Sequence, residues 1–120
     1  VAIEAARLAD DKRGEDIVVL NLTGLSDFCD FFVICSGMSP RHIKGMAKDV
    51  EKNFRQAGLT EISSVGWDEP TWILLDFGGV IMHFFMPETR RYYDLGMLWG
   101  DGKKVTWRPR KRKTAEKKEN

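Results

Sequence analysis

Two apolar runs, WILLDF (72–77) and VIMHFF (80–85), flank Gly78-Gly79. A two-residue Gly-Gly loop between such runs predicts a tight β-hairpin, because the primed turns that match strand twist need a positive φ that glycine supplies without steric cost. That turn sets the pairing. Phe77 faces Val80, Leu75 faces Met82 and Ile73 faces Phe84 on one side, which is purely apolar and must be core. Asp76 faces Ile81, Leu74 faces His83 and Trp72 faces Phe85 on the other. There Asp76 and His83 are diagonal neighbours within reach of each other. This second side suits either another buried layer or a partner surface held by an Asp76–His83 clasp.

The remaining pattern supplies the surroundings. Ile3, Ala6, Leu8 and Ala9 fall at helical spacing before Gly14, predicting a short helix over 1–13. DIVVLNL (16–22) is a β-branched strand, and FFVICS (31–36) is a second strand, apolar throughout and expected to be covered on both faces. The clearest helix follows, with Ser39 as N-cap, Pro40 in the first position and Gly58 as the stop. Its buried face is expected to be Ile43, Met46, Ala47, Val50, Phe54 and Ala57; another face carries Arg41, Lys44, Lys48, Lys52 and Arg55. A weaker strand over 60–67 with alternating Ile62 and Val65 precedes the hairpin, and Pro87 and Glu88 open a last helix with Tyr92, Leu95 and Trp99 on one face. The order predicts an α/β (α+β) domain: a mixed five-stranded sheet with packed helices.

At 120 residues the chain makes one domain with one real core. No apolar run reaches the roughly 20 residues of a membrane helix. No signal-peptide pattern opens the sequence, and Val1 in place of Met fits a processed or trimmed start. Cys29 and Cys35 lack metal or redox spacing and read as buried, reduced thiols, which points to the cytoplasm. The near-zero net charge conceals a split. Residues 103–120 hold nine Lys/Arg against two Glu, and residues 1–102 carry a net −6. We therefore place the domain at 1–102 and a basic, disordered tail at 103–120, suited to an anionic partner such as nucleic acid.

Little in the sequence points to catalysis. Ser36-Gly37 at a strand end looks like the phosphate turn of a nucleotidyltransferase, but metal-dependent phosphoryl transfer needs paired carboxylates. Asp27 and Asp30 are three apart in a turn, and Asp76 stands alone on its strand. There is no phosphate loop, no dinucleotide fingerprint and no zinc spacing. His42 reads as a helix-terminal side chain near Ser39, and His83 as a half-buried ring satisfied by Asp76. No cofactor or metal is called for. Binding remains, through the basic helix face, the basic tail, and aromatic anchors among Trp72, Tyr92, Tyr93 and Trp99.

DIVVLNL, LSDFCDFFVICSG, SPRH, WILLDFGGVIMHFF and RRYYDLGMLW, in this order over about residues 1–100, resemble the Iojap family, also called the ribosomal silencing factors. The resemblance implies a nucleotidyltransferase-like fold without the catalytic carboxylates, and no enzymatic activity. It implies binding to the large ribosomal subunit through its protein number fourteen, a steric block of subunit joining, and repression of translation when nutrients are scarce. Trp72 and Asp76 match the family's W-x-x-x-D, His83 its V-x-H, and Tyr93, Asp94, Leu95 and Trp99 its Y-[DE]-L-x-x-L-W; these are the implied partner-binding residues. Family members are often dimeric in crystals, so a homodimer is a further expectation. Gly79 replaces the usual Asp at the hairpin tip, and Gly96 replaces a Glu, at a cost of about 1 kcal/mol inside a helix. Beyond the shared core, Arg108, Arg110, Lys111, Arg112 and Lys113 are expected to contact ribosomal RNA. Two other readings stand beside this one: a metal-dependent nucleotidyltransferase using Ser36 and Asp76, and an RNA-binding accessory domain.

Overall fold

The computed structural model describes residues 1–25, 27, 29–68, 70–93 and 103–107, with the backbone alone at 92 and 93. The elements run α1 (Ala2–Asp11), β1 (Glu15–Asn21), β2 (Phe31–Ser36), α2 (Pro40–Gln56), β3 (Ser63–Val65), β4 (Trp72–Asp76), β5 (Val80–Phe85), α3 (Pro87–Tyr93) and β6 (Lys103–Lys104). The sheet has the order β3-β4-β5-β2-β1-β6. It is mixed: β2 and β5 run parallel across the α2 crossover, and every other pair is antiparallel.

The hairpin adopts the expected register, from Trp72↔Phe85 to Asp76↔Ile81. Phe77 N–H closes it on the Val80 carbonyl at 2.9 Å. Gly78 has φ +92° while Gly79 does not share the left-handed region, which is the pattern of a type II′ turn. Ile73, Leu75, Phe77, Val80, Met82 and Phe84 all lie buried on the face that α1 and α2 cover. Fully burying a side chain such as Phe84 contributes roughly 2–3 kcal/mol.

Helix α2 follows the sequence closely. The Ser39 hydroxyl accepts from His42 N–H at 3.0 Å, and Ile43, Met46, Ala47, Val50 and Phe54 are buried. Ala57 is exposed, because the helix has ended, and Leu59 packs on the core instead. His42 ties α2 to the end of α1: its Nδ1 accepts from Met38 N–H at 2.9 Å, and its Nε2 lies 2.6 Å from the Lys12 carbonyl. In α1 the buried residues are Ala2, Ala5, Ala6, Leu8 and Ala9, small enough to bring the helix close to the sheet. Ile3, expected inside, is 39% exposed.

Three further expectations change. The sheet has six strands rather than five, since Lys103 and Lys104 pair with Asn21 and Leu20. Val105 N–H then donates to the Val19 carbonyl at 2.8 Å, and Trp107 Nε1–H reaches the Ile17 carbonyl at 3.3 Å. The sheet therefore continues past position 102; residues 108–120 lie outside the described residues. The strand before the hairpin shrinks from 60–67 to Ser63–Val65 at the sheet edge, and Ile62 and Val65 are both exposed. Both cysteines are free and buried, and burial pushes the Cys35 thiol up to about 12.

Gly66 and Gly45 give a paired test. Gly66 has φ +96°, and a Cβ there would run into the backbone carbonyl of Trp72. Gly45 sits inside α2 with open space around it. In urea unfolding, Gly66→Ala is expected to cost at least about 2 kcal/mol, and Gly45→Ala to add up to about 1 kcal/mol. Equal effects of one sign would contradict this placement.

Candidate functional site

The second face of the hairpin adjoins a separate apolar cluster. Leu20, Leu22, Cys29, Phe32, Ile34 and Phe85 are buried there, with Val18, Trp72 and Ile81 packed against them. Strand alternation produces this: Phe32 and Ile34 point opposite to Val33 and Cys35, which face α1 and α2. Where β2, β5 and β4 lie side by side, four rings assemble. Phe32 meets His83 edge-on at 4.6 Å, His83 stacks on Phe85 at 5.9 Å, and Trp72 lies 4.8 Å from Phe85.

The polar contacts differ from the expected clasp. Trp72 Nε1–H donates to His83 Nδ1 at 3.1 Å, whereas Asp76 Oδ1 accepts from Gly78 N–H at 2.8 Å. Asp76 therefore caps the turn that follows it, an Asx contact closer to hand than a diagonal ring. The Trp72 contact makes Nδ1 of His83 the acceptor, so the neutral ring carries its proton on Nε2. That atom is buried and has no hydrogen-bond partner among the described residues. His83 itself is 4% exposed, leaving almost no surface of its own.

What the face presents outward is a hydrophobic step at the sheet edge. Val65, 57% exposed on β3, pairs with Leu74 on β4. With Trp72 they line a hollow of about 210 Å³. Trp72, Leu74, Asp76 and Ile81 are each half-buried. Of the residues implied by resemblance, the structure thus brings Trp72 and His83 into contact and sets Asp76 at the other end of β4. For Tyr93 only the backbone is described, at the end of α3; Asp94, Leu95, Trp99, Gly96 and the five tail cations fall outside the described residues. Val65 and Phe32 escaped the sequence reading, since nothing local in the chain announces which strands flank the hairpin.

The transferase reading fails on geometry. Ser36 pairs with Phe85, which pairs with Trp72, and Asp76 lies four residues further along β4. At about 3.3 Å per residue that is roughly 13 Å along the strand, besides two strand spacings across it. The two side chains cannot share one metal and phosphate. Helix α2 keeps its basic face, where Arg55 contacts Glu51 at 3.8 Å and Glu61 at 3.2 Å. These are exposed pairs of small energetic weight.

Burial lowers the His83 pKa to about 4. The unfolded chain, with an ordinary histidine near 6.5, binds this proton first on acidification. Stability contributed by the neutral buried ring is therefore full above about pH 6.5 and is lost as pH falls toward 4, reaching about 3 kcal/mol. Histidine resonances followed by NMR should show His83 neutral at pH 5. His83→Gln should flatten the stability profile between pH 4 and 6.5; a ring that titrates near 6.5 would contradict its burial.

Comparison with known proteins agrees with this architecture. The family model described as ribosomal silencing factor during starvation matches residues 1–120. Ribosomal silencing factor RsfS of Bacillus subtilis is 39% identical over 97 residues, 81% of this chain and 82% of that protein. Mitochondrial assembly of ribosomal large subunit protein 1 of Mus musculus is 32% identical over 95 residues, 77% of this chain and 42% of that protein. A crystal structure of a Chromobacterium violaceum protein superposes with TM-score 0.77 at 33% identity, covering 94% of this chain and 91% of that one. The chain belongs to the ribosomal silencing factor family, a regulatory and non-enzymatic family.

Proposed function

We propose that this chain binds the large ribosomal subunit in the cytoplasm, through protein number fourteen of that subunit, and by its bulk prevents the small subunit from joining, so that translation is repressed. Family membership supports the ribosome as target, and the name of the mouse relative ties a similar protein to the large subunit. The observation that carries the site is the apolar step that exposed Val65 forms with half-buried Trp72 and Leu74 at the sheet edge. Large apolar and aromatic side chains at the rim of a rigid sheet are what an interface core requires.

The roles differ among the proposed residues. Trp72 and Leu74 supply apolar contact. Asp76 gives one carboxylate oxygen to the turn and keeps the other for a partner. His83 acts as a positioning residue, holding the indole of Trp72 at a fixed angle. Tyr93, Asp94, Leu95 and Trp99 are assigned further partner contacts, since a stable interface needs about 800 Å² per partner. Arg108, Arg110, Lys111, Arg112 and Lys113 add non-specific attraction to ribosomal RNA.

Purified subunits sedimented under joining conditions test this. The chain should travel with the large subunit and leave the subunits apart. Leu74→Asp should bind about tenfold more weakly or worse, a change of about 1.4 kcal/mol, with its melting temperature little changed. A chain ending at residue 107 should bind with a shallower salt dependence. Joined particles in the presence of saturating protein, or Leu74→Asp acting like the wild type, would overturn the proposal.

A further inference from the structure

A second site lies away from the apolar step, where the start of β1, the end of β2 and the first turns of α3 meet around a cleft of about 550 Å³. Among the described residues it is lined by Asp16, Ile17, Val18, Ser36, Pro87, Arg90 and Arg91. Its volume falls within the range of small-molecule sites and exceeds what a lone phosphate needs.

The cleft is built rather than incidental. Ser36 ends β2, is 2% exposed, and accepts a hydrogen bond from Arg90 Nη1 at 2.8 Å. Arg90 is half-buried and set on α3 by its backbone bond to Met86 at 2.9 Å. A hydroxyl that accepts through a lone pair still carries its own proton, so Ser36 can also act as a donor beside the guanidinium. Opposite, β1 breaks its ladder with β2: Glu15 pairs with Ser36 and Val18 with Ile34, so Asp16 and Ile17 stand against Cys35 alone. Asp16 has φ +48°, a left-handed conformation that costs an L-residue about 1–2 kcal/mol. A bulge of this kind re-aims its side chains, and backbone strain gathers where binding requires it. Arg91, exposed at the rim, adds a second cation.

We propose that this cleft binds a small phosphate-bearing ligand, with Arg90, Arg91 and the Ser36 hydroxyl donating to the phosphate and Asp16 accepting from a hydroxyl or amino group on the rest of the molecule. Paired guanidinium groups suit phosphate oxygens because their planar donors match them in charge and spacing. A carboxylate beside them repels a bare anion but suits a ligand with a donor-bearing body, while Ile17, Val18 and Pro87 offer it an apolar wall. The site needs no chemistry on the ligand and stands independently of the proposed ribosome contact.

Calorimetric titration of the full chain tests it, using sodium pyrophosphate, ATP, GTP and adenosine as probes. Saturable binding of pyrophosphate or of a nucleotide, weakened about tenfold or more in both Arg90→Gln and Arg91→Gln, is the expected result. Arg91 is exposed, so its variant separates loss of binding from loss of fold. If the nucleotides bind more tightly than pyrophosphate and Asp16→Asn removes that preference, the body of the ligand is read as proposed. No saturable binding of any phosphate probe, binding of adenosine equal to that of ATP, or full affinity in both arginine variants would overturn the site.

Discussion

The turn at Gly78 fixes one register between β4 and β5, and the two faces of the molecule follow from it. With a side-chain period of two, a single slip would send Leu75 and Met82 outward and Trp72 and Phe85 toward the helices. In the register observed, the purely apolar set fills the core under α1 and α2, and the set carrying the indole, the imidazole and one carboxylate turns the other way. Asp76 reinforces the same turn by capping Gly78. The residue that resemblance assigns to partner contact is thus also part of the device that fixes strand pairing.

The outward face combines a rigid interior and an exposed rim. Its interior is the ring cluster of Phe32, His83 and Phe85, in which a buried imidazole spends one nitrogen on Trp72. Its rim is the edge, where β3 contributes only three residues and Val65 remains exposed. Short edge strands resist unwanted pairing, so a brief β3 lets apolar side chains stay at the surface without offering a long ladder to other chains. On the proposed reading, fixing Trp72 before binding lowers the ordering cost of association.

Much of this was legible in the chain. A two-residue glycine loop dictates its own pairing, and α2 announces both its cap and its buried stripe. What escaped shares one physical cause, dependence on groups distant in sequence. Lys103 and Lys104 form a strand because backbone pairing with β1 is indifferent to their charge, and composition alone suggested a solvated tail. The Asp76–His83 clasp satisfied the sheet's diagonal geometry, yet the turn amide was nearer and an indole was aligned with the ring. Ser36 and Arg90, 54 residues apart, meet only because β2 and β5 run parallel and α3 follows β5 directly. The two residues a transferase would have used, Ser36 and Asp76, sit at opposite ends of the strands, which no local pattern in the sequence displays.

On the proposed reading, the sheet-edge face and not the helical face meets the ribosome. This is tested most directly by placing a photo-reactive amino acid at position 74 in one protein and at position 48, exposed on α2, in another. Each is irradiated with purified large subunits. The expected result is a crosslink to a large-subunit protein from position 74 and none from position 48. Crosslinking from position 48 with none from position 74 would contradict it.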